Sequence, residues 1–351
     1  MEDRTINIGF PCPTCGANEW INGERYVLRR DGVNTEDLRT RYQVLLDVWF
    51  PLQPEIALQS VSCVRCGFIA YSPRPDEEDM VAKYKSQRTL PPDPSATPLG
   101  VYMDKRRAVR GYRATTRYLR RAGGSVLDIG GSDGKLLRPF VDQGFDCYVT
   151  DYNPRSLVNG VTRLGSTISD LSPAQRFDVI LCNHLLEHIL DPLGFLRALT
   201  NHIAVGGVLH VEVPDEVWGG LPLPRHAAVH VNYFTKRTAE ILLKLSGWKP
   251  IWSKNGAGTY GEVAIAATNI VARAEHTPVN DAEYAAASRD SQMRLHADSQ
   301  LRREHFQVLA SRAMLQASCM LRAGHVISNT RGIIDRVTLS KTESNPSSHV
   351  N

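Results

Sequence analysis

Two aspartates and a set of small residues in the middle of the chain have the types and spacing to bind a cationic ligand. Asp128 lies in the apolar run 125–129, and Asp151 follows a second apolar run, 147–150. The turn after the first run contains Gly130, Gly131, Ser132 and Gly134. The pattern predicts a strand, a tight turn and then a helix, which together present backbone N–H groups and a helix N-terminus to a ligand.

The two acids favour S-adenosylmethionine (SAM) over a dinucleotide. A dinucleotide site needs G-x-G-x-x-G to admit a pyrophosphate, and the glycine spacing here differs. SAM lacks phosphate and carries a cationic aminoacyl group, which suits a carboxylate at Asp128. A carboxylate at Asp151 can accept both ribose hydroxyls, and Tyr152 and Asn153 directly after it are further candidate cofactor contacts. The alternative is that both aspartates only cap strand ends of a doubly wound domain.

Four cysteines near the N-terminus have metal-ligand spacing. Cys12 and Cys15 form one C-x-x-C pair, and Cys63 and Cys66 form another, each followed by glycine. Two such knuckles predict a tetrahedral zinc site. Because four thiolates leave no position for water, this zinc is expected to be structural. Two disulfides or idle thiols are the alternatives, and a reducing compartment disfavours disulfides.

The order of motifs along the chain is similar to that of class I SAM-dependent methyltransferases. The matching segments are 126–134, Asp151, 177–192 and 205–214. The resemblance implies that the glycine turn and Asp128 hold the amino acid moiety and that Asp151 holds the ribose. It further implies that Asp170 and Leu171 contact the adenine. Asn183 and His184 would face the cofactor and the acceptor, and His184 is also a candidate catalytic residue.

A second resemblance concerns the acceptor side. The two C-x-x-C knuckles, the Glu-x-Pro of 212–214 and a histidine followed closely by Tyr233-Phe234 resemble a branch that includes sugar C-methyltransferases acting on nucleotide-linked deoxysugars. Aligned on Tyr-Phe, His230 takes the place of that branch's catalytic histidine. Histidine is a natural proton acceptor near neutral pH, so His230 is predicted to be the general base. A structural hydrogen-bonded histidine is the alternative.

One departure from that branch changes the predicted chemistry. Its catalytic histidine is preceded by Tyr-His-Glu, whereas Ala227, Ala228 and Val229 stand here. The lost polar groups would have supported enolate chemistry at a keto sugar, while a single histidine suffices for an oxygen nucleophile. O-methylation of a sugar, glycan or natural-product hydroxyl is therefore favoured. C-methylation of a nucleotide-linked sugar, methylation of an RNA ribose and a non-catalytic SAM-binding scaffold remain alternatives.

Composition and patterning predict an α/β protein of several parts. The 351 residues include 42% hydrophobic and 22% charged, with a net charge of +4 that does not by itself indicate nucleic acid. We expect a cytoplasmic protein with no membrane span and a Rossmann-like class I methyltransferase sheet. The predicted divisions are a zinc-binding module (1–85), a proline-rich linker or lid (86–100), a SAM-binding domain (101–272), a C-terminal helical region (273–336) and a disordered tail (337–351).

Two further segments left alternatives open. The basic segment 102–121, predicted to be a helix, either attracts an anionic acceptor or is the solvated face of an amphipathic helix. No interleaved aromatic platform in it supports nucleic-acid binding. The apolar residues of the C-terminal region hold no single heptad register, so its helices either pack on the catalytic domain or form a homodimer contact.

Overall fold

The computed structural model describes most of the chain up to residue 295: residues 5–6, 8–33, 39, 42–87, 97–120, 123–153, 155–217, 230–260, 263–295 and 317. Several predictions fall largely outside these residues. They are the proline-rich segment between 88 and 96, the C-terminal region after residue 295 with its homodimer contact, and the tail 337–351.

The N-terminal module is built on a small antiparallel sheet. Its strands are β1 (Thr5–Ile6), β2 (Trp20–Arg29), β3 (Glu55–Cys63) and β4 (Ile69–Ser72), in spatial order β1-β2-β3-β4. The apolar run 44–50, which by its composition could form a strand, does not form one. Val44–Trp49 is a π-helix that buries Val44, Leu45 and Leu46, because a short apolar run does not distinguish a buried strand from a buried helix.

A mostly parallel sheet forms the centre of the larger domain. Among the described residues its spatial order is β10-β11-β9-β8-β5-β6-β7. The bounds are β5 (Ser125–Ile129), β6 (Asp146–Thr150), β7 (Val161–Gly165), β8 (Phe177–Asn183), β9 (Ile203–Pro214), β10 (Trp248–Tyr260) and β11 (Val263–Ala274). Strands β5 to β9 run parallel, while β11 pairs antiparallel with both β9 and β10.

The described helices pack around both sheets. They are α1 (Glu77–Gln87), α2 (Pro98–Thr116), α3 (Arg138–Val141), α4 (Pro192–Leu199), α5 (Lys236–Leu245) and α6 (Asp281–Leu295). Thr97 caps α2 by accepting a hydrogen bond from the Gly100 N–H at 3.1 Å, and proline follows at the first helical position. Within the described part of the chain, no helix combines the length and apolarity required to cross a bilayer.

The N-terminal module packs directly against the segment that carries His230. Ile69 in β4 forms a β-bridge with Tyr233. The rings of Phe68 and Phe234 lie 5.8 Å apart, and those of Tyr71 and Tyr233 lie 5.3 Å apart. Such edge-to-face pairs stabilise the packing by more than the burial of their apolar area alone. The position of 230–234 therefore depends on the N-terminal module.

The predicted fold class is confirmed. The central sheet is Rossmann-like, with helices on its faces, and strand β5 lies between β6 and β8, where the chain order reverses. In open α/β sheets, ligands bind outside the carboxyl ends of the strands at this point. The fold therefore directs attention to the residues that follow β5, β6 and β8.

Candidate active site

The glycine turn after β5 is held close to the acid that follows β6. Gly130 N–H donates to the Thr150 carbonyl at 2.8 Å. The Asp151 carboxylate accepts from the Ser132 N–H at 2.8 Å and from the Asn153 N–H at 2.7 Å. Each carboxylate oxygen has a second lone pair, so Asp151 keeps acceptor capacity for a ligand.

Gly131 shows why this turn needs a residue without a side chain. A Cβ at this position would lie 2.7 Å from the Val149 side chain and 2.8 Å from Asp128 Cγ. Gly134 instead has a left-handed backbone, with φ of 77°, which glycine adopts without a steric penalty. The backbone of the turn thus lies close to the side chains of Asp128 and Val149.

Asp128 is a buried carboxylate with an unused acceptor. Its side chain is 1% exposed, and no described residue donates a hydrogen bond to Oδ2. Burial raises the pKa of Asp128 to about 7, although the Arg107 guanidinium opposes this shift. A cationic ammonium group would satisfy Oδ2 and favour the ionised form. The residues around the turn therefore fit the aminoacyl end of SAM.

A buried ion network joins α2 to the carboxyl ends of β8 and β9, and the sequence interpretation missed it. Glu212 Oε1 accepts from Arg107 Nε at 2.8 Å, and Glu212 Oε2 accepts from Arg110 Nη2 at 3.2 Å. Burial opposes ionisation of Glu212, but Arg107, His184 and Arg110 hold its pKa well below the usual range. Arg107 Nη2 is buried and has no hydrogen-bond partner among the described residues. At least two arginines of the basic segment thus face inward.

His184 belongs to the same network. Its Nε2 lies 3.1 Å from Glu212 Oε1, and its Nδ1 lies 3.3 Å from Glu187 Oε1. Burial opposes protonation of His184, but the hydrogen bonds to Glu187 and Glu212 raise its pKa above the ordinary value. His184 also has a φ of 52°, in the left-handed region, which is uncommon for a non-glycine residue. Both ring nitrogens therefore face carboxylates.

The remaining cofactor candidates take different positions. Asn183, at the end of β8, accepts from His210 Nδ1 through its side-chain oxygen at 3.0 Å. Asp170 is exposed, and its Oδ2 accepts from the backbone N–H groups of Ser166 and Thr167, which lower its pKa. Leu171 beside it is buried. Their contacts with a cofactor stay predictions.

His230 is hydrogen-bonded to a carboxylate that the sequence interpretation did not single out. Its Nδ1 lies 2.8 Å from Glu216 Oε2, and both side chains are largely buried. Burial opposes protonation of His230, but Glu216 outweighs it and the pKa is raised. The ring of His188 packs against that of His230 at 4.8 Å between centroids. Because Nδ1 of His230 is paired with Glu216, Nε2 is the nitrogen that can take a proton.

The N-terminal module contributes walls to this region. The ring of Tyr84, on α1, lies 4.8 Å from that of Tyr152, which follows Asp151. Lys83, also on α1, lies 3.0 Å from His188 Nδ1. A cavity beside His230 is lined mostly by apolar and aromatic side chains, among them Leu45, Trp49, Phe50, Leu58 and Tyr71. The module therefore contacts both the segment after β6 and the region around His188 and His230.

The four knuckle cysteines converge as predicted. Cys12 Sγ lies 3.5 Å from Cys66 Sγ, and Cys15 Sγ lies 3.6 Å from Cys63 Sγ. These separations exceed the length of a disulfide bond, about 2.05 Å. They are close to the separation of about 3.8 Å between sulfurs on a tetrahedron with zinc–sulfur bonds of about 2.3 Å. The donor set fits a closed zinc site.

Comparison with known proteins agrees with this geometry. Residues 103–253 match a family described as a methyltransferase domain. Over 97 residues the chain is 34% identical to the ubiquinone biosynthesis O-methyltransferase of Cereibacter sphaeroides, covering 24% of this chain and 38% of that protein. Over 104 residues it is 34% identical to the tRNA U34 carboxymethyltransferase of Dichelobacter nodosus, covering 26% and 33%.

Among solved structures, the chain is similar to the N-methyltransferase NodS of Bradyrhizobium japonicum in complex with S-adenosyl-L-homocysteine. The identity is 15%, the TM-score is 0.42, and the match covers 55% of this chain and 97% of that one. The chain spans about a third of the length of the curated relatives named above. Taken with the fold, the family match shows that the chain carries a class I methyltransferase domain.

Proposed function

We propose that the protein is a SAM-dependent methyltransferase that methylates a hydroxyl oxygen of a sugar, glycan or other natural product. The observation that carries the proposal is the His230–Glu216 pair, which lies beside an apolar cavity in a domain whose glycine turn fits SAM. The curated relatives named O-methyltransferases support oxygen as the methylated atom.

The cofactor contacts follow from the donor and acceptor groups at the sheet edge. SAM supplies a methyl group bonded to a positively charged sulfur. Asp128 would hold its ammonium group, and Arg107 Nη2, which is buried without a described partner, would hold its carboxylate. Asp151 would accept the ribose hydroxyls, and the predicted adenine contacts are Asp170 and Leu171. Tyr152 would place its ring beside the nucleoside while it packs on Tyr84.

His230 would remove the proton of the acceptor hydroxyl. The Glu216 carboxylate can only accept, so it fixes the proton of neutral His230 on Nδ1 and leaves the lone pair on Nε2. It also stabilises the imidazolium that forms when the proton is taken, as a carboxylate does in other histidine-based sites. His184, held between two carboxylates, would keep Glu212 and Glu187 in place.

We also propose that the four cysteines bind one structural zinc ion. Both knuckles close by the same backbone hydrogen bonds, from the Gly16 N–H to the Cys12 carbonyl at 2.8 Å and from the Gly67 N–H to the Cys63 carbonyl at 2.9 Å. Cys66 lies two residues before Phe68, which packs against Phe234. The metal would thereby support the segment that carries His230.

The test is product analysis by mass spectrometry. The purified protein is offered SAM and a panel of nucleotide sugars, glycans and small phenols, and we expect one methyl group to appear on an acceptor oxygen. His230→Ala should slow turnover by about 100-fold or more, the contribution of a general base, while S-adenosylhomocysteine binding is unchanged. His202→Ala is a matched control, because His202 instead contacts the Gln175 carbonyl.

Three results would contradict the proposal. Normal turnover by His230→Ala would remove the assigned base. A product methylated on carbon would replace O-methylation by the sugar C-methylation alternative. Methylation of RNA would instead favour the RNA alternative, in line with the tRNA substrate named for the Dichelobacter nodosus relative. Binding of RNA to the protein would then weaken steeply with salt.

A further inference from the structure

A lysine of the N-terminal module is buried against a histidine of the methyltransferase domain. Lys83, on α1, is 1% exposed, and its Nζ lies 3.0 Å from Nδ1 of His188, 105 residues later in the chain. The same Nζ lies over the rings of Trp49 and Tyr84, at 6.0 and 5.2 Å from their centroids. The ammonium group thus lies where the two modules meet.

Packing alone does not account for a lysine at this position. Lysine is almost never fully buried, because transfer of its charge out of water is costly. Burial lowers the pKa of Lys83 to about 7, although the charge of Glu187 opposes the shift. A methionine would fill a similar volume among the same aromatic rings without that cost. The contact of this amine with His188 is therefore a candidate for a functional role.

The amine determines which nitrogen of His188 carries the proton. When its amine is protonated, Lys83 has three donors and no acceptor, so it can only donate to Nδ1 of His188, which places the proton of neutral His188 on Nε2. Glu216 has the opposite effect on His230, since a carboxylate accepts from Nδ1 and leaves Nε2 with the lone pair. With Lys83 protonated, the two neighbouring imidazoles therefore carry their protons on different nitrogens, Nε2 in His188 and Nδ1 in His230.

The spacing of these rings fits a single oxygen between them. One ring nitrogen of His188 and one of His230 lie within 4.8 Å of each other. An oxygen at a hydrogen-bond distance of about 2.8 Å from each of two nitrogens, with an angle near 120°, can bridge nitrogens up to about this far apart. A hydroxyl can accept one hydrogen bond while it donates another, and it still retains a lone pair.

We propose that Lys83 is a positioning residue that makes His188 a hydrogen-bond donor, so that His188 and His230 together hold the acceptor hydroxyl. In the reaction, the oxygen's free lone pair forms the bond to the methyl carbon while the carbon–sulfur bond breaks and its electron pair stays on sulfur. The hydroxyl proton passes to Nε2 of His230. This role rests on the proposed function, but the protonation of His188 can be measured without an acceptor.

The experiment is 15N NMR of the full-length protein labelled at histidine, with His188 assigned by comparison with His188→Gln. We expect an unprotonated Nδ1 and a protonated Nε2 for His188 in the wild type. Lys83→Arg, which still donates, should keep this pattern, whereas Lys83→Met should lose it. Lys85→Met, on the exposed side of the same helix, should leave it unchanged.

Melting temperature and metal content separate this role from two others. If Lys83 acts through His188, Lys83→Met should melt no lower than the wild type, because it removes a buried charge; a clear fall would indicate a structural lysine. Glu187, His188 and His230 could also hold a metal ion. A second equivalent of zinc by mass spectrometry, lost in His188→Gln, would overturn the proposal, as would a protonated Nδ1 in the wild type.

When an acceptor is known, the failure of this role can be told from the failure of the proposed function. Lys83→Met should then lower kcat by about 10-fold or more, with S-adenosylhomocysteine binding unchanged and the loss partly rescued in Lys83→Arg. Equal kcat values for Lys83→Met and the wild type would refute the role of Lys83 and leave the methyltransferase assignment intact. If instead no acceptor is turned over by the wild type, the proposed function alone fails, because the protonation of His188 is measured without an acceptor.

Discussion

Asp151 provides the sharpest test of the cofactor site, because its carboxylate has two separable tasks. It accepts hydrogen bonds from the backbone N–H groups of Ser132 and Asn153, which shape the turn. Its remaining lone pairs are those proposed to accept the ribose hydroxyls. The change Asp151→Ala removes both, so its effect on binding must be separated from its effect on folding.

The magnitude follows from the number of hydrogen bonds. A hydrogen bond to a charged group contributes about 1.5–3 kcal/mol, so loss of two ribose contacts costs about 3–6 kcal/mol. At about 1.4 kcal/mol for each tenfold change, the dissociation constant of S-adenosylhomocysteine should rise by about 100- to 20,000-fold. The two unsatisfied N–H groups add a loss of stability of about 1–3 kcal/mol each.

The assay is isothermal titration calorimetry with S-adenosylhomocysteine, at a temperature where circular dichroism shows the variant folded. Asp142→Ala is the control, because Asp142 is exposed and pairs only with the nearby Arg138 among the described ion pairs. It should bind like the wild type. If folded Asp151→Ala binds within about threefold of the wild type, a difference of about 0.7 kcal/mol, then Asp151 does not hold the ribose and the reasoning from the turn is wrong.

Three further predictions concern the charges of the site and the metal. The pKa of Asp128 is about 7 without ligand, and an ammonium group should ionise it, so binding at slightly acidic pH should release a proton, seen as a buffer-dependent heat that Asp128→Asn abolishes. Because the base must be unprotonated and Glu216 and Glu187 raise the pKa of His230 against burial and Lys83, kcat should rise with pH through a midpoint above about 6.5, and Glu216→Gln should lower that midpoint. Cys66→Ser should lower the zinc content below the one equivalent expected by mass spectrometry, and it should lower the melting temperature.

Local patterns in the sequence were sufficient to predict the strand and the glycine turn of the candidate cofactor site. The bounds of β5 agree with the predicted apolar run 125–129, because apolar patterning and flanking turn residues determine such an element locally. The two knuckles also converge as their spacing predicts. The strand and the turn are determined by residues that are neighbours in the chain. The cysteines are recognised from the spacing within each C-x-x-C pair, which is also local.

The contacts around His230 and His188 could not be predicted from local patterns, because the residues that contact these histidines are distant in the chain. Glu216 bonds His230 across a stretch of sequence with no motif, and Lys83 reaches His188 only once α1 packs on the larger domain. Arg107 lies in a run of basic residues that suggests a solvated or anion-attracting face. Only the fold shows that it faces the buried Glu212. A charged side chain with a role in the site is recognised by its burial, and the amino-acid composition does not show which charged side chains are buried.

The contacts between the modules argue that the N-terminal module is part of the candidate active site. Arg74, just after β4, donates to the Asn232 side-chain oxygen at 2.7 Å and to the Leu190 carbonyl at 3.1 Å. Asn232 in turn donates to the carbonyls of Leu186 and Ile189 at 2.6 Å. These bonds tie the segment of His230 to the segment of His188 through a residue of the N-terminal module. Since the separation of those histidines decides whether one hydroxyl can contact both, loss of zinc should impair acceptor turnover more than cofactor binding, which depends on β5 and β6.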